Sequence, residues 1–266
     1  MHNGAIMPSE VRHLVDRGQT YPLVRLTGVL DADTATPVRT ALLDLLATQP
    51  EAIVVDVTGL RVAQSDAISV LREVLDQTRD WPGSHLALCG PADALPWQPS
   101  GWPVWPDPAG AFAALGEPET DRRVSVDLEP VVGAARRSRE VITEACGRWE
   151  QPDLAGNACI VATEMVNNVV AHARTPMRVL LALHGDTMSV AVRDGSAKIP
   201  RFTGQVAPTS YGGRGLLLID SVATRWGHLA LADGKVVWAR LEADSEIPRT
   251  KDLQRDDAGM TDPTRG

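Results

Sequence analysis

Apolar positions in the first part of the chain come in short runs that alternate between two periods. YPLVRLTGVL, residues 21–30, is aliphatic and β-branched and predicts a strand. Asp31 or Asp33 then stands where a helix needs an N-cap, and Val38, Leu42, Leu45 and Leu46 fall on one helical face before Pro50 stops the run. AIVVDVTGL, residues 52–60, predicts a buried strand. SDAISVLREVLDQTRD predicts a helix opened by Ser65 and striped by Ile68, Leu71 and Leu75. LALCG and the pair at 104–105 predict further strands, and residues 109–115 a short helix. Strand and helix alternate, so residues 20–116 read as a small α/β domain, with residues 1–19 as an N-terminal extension.

A charged, proline-containing linker, residues 117–123, separates this pattern from a different one over 124–243. There VSVDLEP predicts a strand, residues 132–149 a helix, and residues 154–172 a second helix with Ile160, Val161, Met165, Val169 and Val170 as its packing face. MRVLLALHG, TMSVAVRD and KVVWARLEA predict strands, and YGGRGLLLIDSVATRW a glycine-led helix between the last two. Helices come first and antiparallel strands follow, with a glycine-rich loop at the sheet edge. The polar residues 244–266 are expected to be disordered. Residues 91–108, with six prolines and three tryptophans, are expected to form a loop over one end of the first sheet.

Composition narrows the function classes. Hydrophobic residues make up 44% of the 266 positions but aromatic ones only 4%, so the core is aliphatic and globular. The formal charge of −8 argues against a surface built to grip nucleic acid or anionic lipid. Cys89, Cys146 and Cys159 lack disulfide or metal-site spacing and read as core residues of a reducing compartment. No secretory signal and no continuous membrane-spanning run is expected, which makes cytoplasmic residence the default.

Candidate chemistry concentrates in ATEMVNNVVAHA, residues 162–173. Glu164 and Asn168 lie four apart and share a helix face, and His172 extends the row by a turn. A carboxylate and an amide so stacked can border a nucleotide pocket, the amide completing a metal shell and the carboxylate orienting a nucleophile. An exposed polar face would carry the same letters. Downstream, Asp194 closes an aliphatic strand and Gly195 follows, where a carboxylate can meet an exocyclic amine or simply start a turn. Gly212, Gly213 and Gly215 precede a helix, where backbone N–H groups can converge on phosphate or merely form a loop. The joint order of polar helix, strand-end acid and glycine loop favours the nucleotide site.

Residues 124–242 resemble the histidine-kinase-like ATPase domain shared by gyrase, Hsp90, sensor kinases and MutL, most closely its anti-sigma-factor serine kinase branch. TEMVNNVVAHA is similar to the N-box, which implies Glu164 as general base and Asn168 as Mg²⁺ ligand. VAVRDGS resembles the adenine box, which implies Asp194 as the adenine-reading acid with Gly195 beside it. GGRGLLLIDSVATRWG resembles the glycine box, which implies that Gly213, Arg214, Gly215 and Leu216 line the phosphates. GKVVWARL resembles the closing strand, with Trp238 in the core. The implied cofactors are ATP and Mg²⁺. Where the family reads Asp-x-Gly-x-Gly, this chain has Asp194-Gly195-Ser196-Ala197-Lys198, so two side chains replace glycines at a place of close backbone approach.

Residues 20–116 resemble the STAS fold of anti-sigma-factor antagonists. The resemblance places Ser65 at the phosphorylatable serine, although Gln64-Ser65-Asp66-Ala67 stands where Asp-Ser-x-Gly is common. Ser65 could equally be a helix N-cap. Together the resemblances imply an α/β STAS-like domain followed by an α/β sandwich ATPase domain. The implied function is an ATP-binding serine/threonine kinase of partner-switching transcription control. Its partners would be a sigma factor or a STAS-domain antagonist, with a homodimer among the allowed states and neither nucleic acid nor membrane involved. The alternative is a catalytically inactive interaction scaffold regulated by its own STAS domain.

Overall fold

The computed structural model describes residues 10–64, 67, 69–90, 104–198 and 214–243. The N-terminal strand β1 (Val11–Asp16) pairs antiparallel with β2 (Leu23–Leu30), which runs parallel to β3 (Ala52–Val62), β4 (His85–Cys89) and β5 (Val104–Trp105) in the order β1-β2-β3-β4-β5. Parallel neighbours need crossovers. Helices α1 (Ala32–Leu46) and α2 (Ser69–Thr78) lie within the first two, and α3 (Pro108–Leu115) packs on the other face of the sheet. Asp31 caps α1: its Oδ1 accepts from the N–H groups of Asp33 and Thr34 at 3.1 and 3.0 Å, while Thr34 Oγ1 accepts from the Asp31 N–H at 2.8 Å.

β1 is a strand that the hydropathy does not mark. It pairs on one side only, so Leu14 is 63% exposed and charged residues interrupt the apolar ones, as an edge strand tolerates.

The second domain contains β6 (Arg123–Leu128), α4 (Ala134–Arg148), α5 (Pro152–Asn168), a π-helical turn (Val169–Ala173), β7 (Met177–His184), β8 (Thr187–Asp194), α6 (Arg214–Val222), β9 (Arg225–Leu231) and β10 (Gly234–Glu242). Its strands are ordered β6-β7-β8-β10-β9, every neighbour antiparallel. Residues 225–226, expected to end a helix, instead begin β9: α6 stops at Val222, and Thr224 N–H donates to Arg240 O at 2.9 Å to open the pairing.

Strand alternation gives this sheet two buried faces. Val179, Val190, Val192, Val237, Ala239 and Leu241 point to the layer of α4, α5 and α6. Along α5 and into the π turn the buried stripe is Leu154, Ala158, Val161, Met165 and Val169, whereas Ile160, expected in it, is 39% exposed. Pro152–Ala173 is long and apolar enough to cross a membrane by length and composition, contrary to the expectation that no stretch is. Its apolar stripe is used instead against the sheet, as in a core helix.

Leu180, Ala191, Leu229, Val236 and Trp238 point the other way and join one cluster with Leu42, Leu46, Val74 and Trp81 of the first domain. Trp238, expected in the core of its own domain, is therefore buried at the junction of the two. Polar contacts frame it. Arg225 pairs with Asp80 at 2.8 Å, and Arg123 donates to Gln49 O at 2.9 Å and to His184 Nε2 at 3.1 Å. Burial pushes the thiols of Cys89 and Cys146 up to about 12 and about 11, which leaves them inert core residues.

Candidate functional site

A cavity of about 730 Å³ opens between α5, its π turn, the ends of β8 and β10, and the start of α6. Its apolar lining comes from Met165, Val169, Val192, Leu216 and Val237, and its polar lining from Asn168, His172, Asp194, Ser196, Lys198 and Lys235. That size and mixture suit a ligand of nucleotide dimensions, since small-molecule sites span roughly 300–1,000 Å³.

Each polar group is placed by its element. Met165 and Val169 anchor α5 to the sheet, which turns Asn168 into the cavity and leaves Asn167 exposed. The helix then widens into the π turn, closed by the 2.7 Å bond from Arg174 N–H to Val169 O, with Arg174 in the left-handed region at φ 55°. A wider turn carries His172 to the cavity wall. Glu164, one turn before Asn168, lies under the first turn of α6: a Cβ added at Gly215 would sit 2.6 Å from Glu164 Oε2. Glycine therefore lets that helix start against the carboxylate. Neither Glu164 nor the Asn168 amide makes a side-chain hydrogen bond among the described residues, so both keep their bonding capacity for a ligand.

Asp194 lies at the floor of the cavity and is 4% exposed. Its Oδ1 accepts from Lys235 Nζ at 2.8 Å and from Ser196 N–H at 2.7 Å, and Lys235 Nζ donates again to Ser196 O at 3.1 Å. The Gly195 N–H donates to Thr175 Oγ1 at 3.0 Å, which ties the strand end to the segment after the π turn. Ser196, which replaces a glycine of the family pattern, thus works as a turn former around the acid.

Of the residues singled out in the sequence, Asn168, Asp194, Gly215 and Leu216 line the cavity, while Glu164 lies against Gly215 and Gly195 follows Asp194. Gly213 and Ser65 lie outside the described residues, and only the backbone of Arg214 is described, at the start of α6. Lys235 was not anticipated. The period of KVVWARL puts it on the same side of the strand as Val237, Ala239 and Leu241, and a lysine on that side of a buried strand is the signal that points to it. Among the described residues no cluster of three or more His, Cys, Asp or Glu side chains is arranged to hold a metal.

Residues 127–241 match the family described as histidine kinase-like ATPase domain, and residues 13–95 the family described as Mlab, STAS domain. No protein of curated function matches the chain. Among solved structures, an anti-sigma factor antagonist from Mycobacterium paratuberculosis is 18% identical over 41% of this chain and 96% of its own, with a TM-score of 0.36. The RsbU and RsbW domains of a Mycobacterium tuberculosis protein are 17% identical over 45% of this chain and 31% of theirs, with a TM-score of 0.35. The histidine kinase domain of a blue-light activated histidine kinase from Erythrobacter litoralis is 18% identical over 42% of this chain and 60% of its own, with a TM-score of 0.28.

Proposed function

Because the chain joins a STAS-like domain to a histidine-kinase-like ATPase domain, we propose that it is a Mg-ATP-binding regulatory protein that transfers phosphate to a serine of a partner protein in a partner-switching system. The observation that carries this reading is the convergence of Asn168, Asp194 and Gly215 on one cavity, with the Glu164 carboxylate packed against Gly215. Asp194 accepts the exocyclic amine of the base at the cavity floor. At the other end, the backbone N–H groups at the start of α6 face the phosphates, where a helix N-terminus favours negative charge. Asn168 offers a neutral amide oxygen suited to a Mg²⁺ shell; bound there, the ion would neutralise phosphate charge. Glu164, a carboxylate one helical turn away, takes the proton of the attacking hydroxyl.

The acceptor serine comes from another chain in this reading. The first domain packs on the sheet face opposite the cavity, so among the described residues it does not reach the cavity, which supports an acceptor brought by a partner. Ser65 is the candidate acceptor that a second STAS-like domain would bring. The same packing also supports a second reading, a non-catalytic scaffold whose own STAS-like domain occupies one face of the ATPase domain.

Titration of Mg-ATP into the full chain, combined with a transfer assay, separates the two. Asn168→Ala is expected to lose magnesium-dependent binding. Glu164→Gln is expected to bind nearly as the parent does and to lose transfer by about a hundredfold or more. Asn167→Ala, off that face, is expected to behave as the parent. Binding without transfer in the parent favours the scaffold, and unchanged binding in all three variants removes the nucleotide site.

A further inference from the structure

The floor of the cavity carries a buried ion pair that the family resemblance does not account for. Asp194 and Lys235 are 4% and 6% exposed, face each other in register across β8 and β10, and both line the cavity. A buried ammonium beside a buried carboxylate is costly to desolvate and is retained where geometry and hydrogen bonds compensate. Here the compensation is partial. An ammonium has three N–H donors, and Lys235 uses two of them, on Asp194 Oδ1 and Ser196 O. A carboxylate has two oxygens, and both bonds to Asp194 from described residues fall on Oδ1. Among the described residues one donor and one acceptor oxygen thus remain on a pair that lines a cavity large enough for a base.

We infer that Lys235 is a second base-reading residue, which donates to the ring nitrogen beside the exocyclic amine that Asp194 accepts. The inference rests on the nucleotide reading of the cavity. Adenine presents a donor amine at C6 next to an acceptor at N1, the complement of a carboxylate next to an ammonium. Guanine presents the reverse order, an acceptor at C6 and a donor at N1, and meets the pair less well. Lys235 also fixes Asp194 by its first bond, so the acid is oriented before the base arrives, and Ser196 holds both through its backbone. The side chains that replace glycine near this turn therefore accompany a reading element assembled from two strands.

The test uses the full chain and three probes: ATP, 1-deaza-ATP, which lacks the N1 acceptor, and purine riboside triphosphate, which lacks the amine. The parent is expected to bind ATP about tenfold or more tighter than 1-deaza-ATP, the ratio typical of a hydrogen bond from a charged donor. Lys235→Met is expected to bring that ratio close to one while the preference for the amine persists. Lys235→Gln, which keeps an N–H donor, is expected to restore part of it. If Lys235→Met does not fold, as judged by circular dichroism, the parent ratio and Lys235→Gln decide. Equal affinity of the parent for ATP and 1-deaza-ATP overturns the role of Lys235 and leaves the nucleotide site standing, as does an unchanged ratio in a folded Lys235→Met. A parent that binds none of the three probes overturns both.

Discussion

At the scale of single residues, the site depends as much on an absent side chain as on those present. Gly215 lets the first turn of α6 come down on Glu164, and a Cβ there would meet Oε2 at 2.6 Å. The obstructing atom ends a flexible side chain, so the fold has room to adjust. The carboxylate does not keep its position. Gly215→Ala is therefore expected to stay folded, with a melting temperature within a few degrees of the parent, while nucleotide affinity or transfer falls about tenfold, measured by titration and by the transfer assay. A variant that binds and transfers like the parent would show that Glu164 need not sit under α6. The candidate residues were legible from their spacing: Glu164 and Asn168 by helical period, Asp194 by its place at a strand end. Lys235 was not, because a charged residue at the start of a strand reads as solvent-facing until the register sets it opposite Asp194.

At the scale of elements, the interior strands were legible, and of the four edge strands β5 and β6 were read while β1 and β9 were not. β2, β3, β7, β8 and β10 announce themselves as aliphatic runs because a partner or a helix covers each of them. β1 and β9 are edge strands and carry Arg12, His13, Arg225 and His228 among their apolar residues, which dilutes the period-2 signal. β9 is nonetheless specified by a close fit to β10. A Cβ on Gly227 would lie 2.7 Å from Trp238 Cζ2, so the indole lies over the bare backbone of its neighbour. Gly227→Ala has to displace a ring already packed against the first domain. Overpacking of this kind costs about 1–3 kcal/mol, and thermal denaturation is expected to show the loss with nucleotide affinity retained. No change in melting temperature would mean that the indole moves freely and that the junction is loosely packed.

At the scale of the whole molecule, the two domains are joined by an apolar cluster and a polar rim, and the rim titrates. His184 lies at the exposed rim of the junction, where partial desolvation, together with the Arg123 cation beside it, holds the imidazole below its ordinary value of 6.5. A guanidinium can only donate, so Nε2 is the bare nitrogen and the ring proton sits on Nδ1. With the folded value depressed, the unfolded chain takes up the proton first as pH falls. The stability that His184 contributes is complete above about pH 6.5 and is lost below it as pH falls through the folded value. The parent is expected to melt at lower temperature as pH drops from about 7 to 5.5, and His184→Gln, which cannot titrate, to show a shallower decline. Parallel declines in the two proteins would assign the acid sensitivity to other groups.

The sheet of the second domain, enclosed by helices on one face and by a whole domain on the other, has a consequence for how the chain can vary. In β10 the residues from Gly234 to Ala239 are all buried, the odd-numbered positions toward the cavity and helical core, the even ones toward the first domain. Most strands of small domains keep a solvent side on which sequence can drift at little cost. β10 has almost none, and so its tolerated alphabet is short. A replacement at a cavity-lining position, Lys235 or Val237, has immediate neighbours in the chain whose size is set by another domain's core. The cavity side of this strand can therefore be altered only in step with the domain packed behind it.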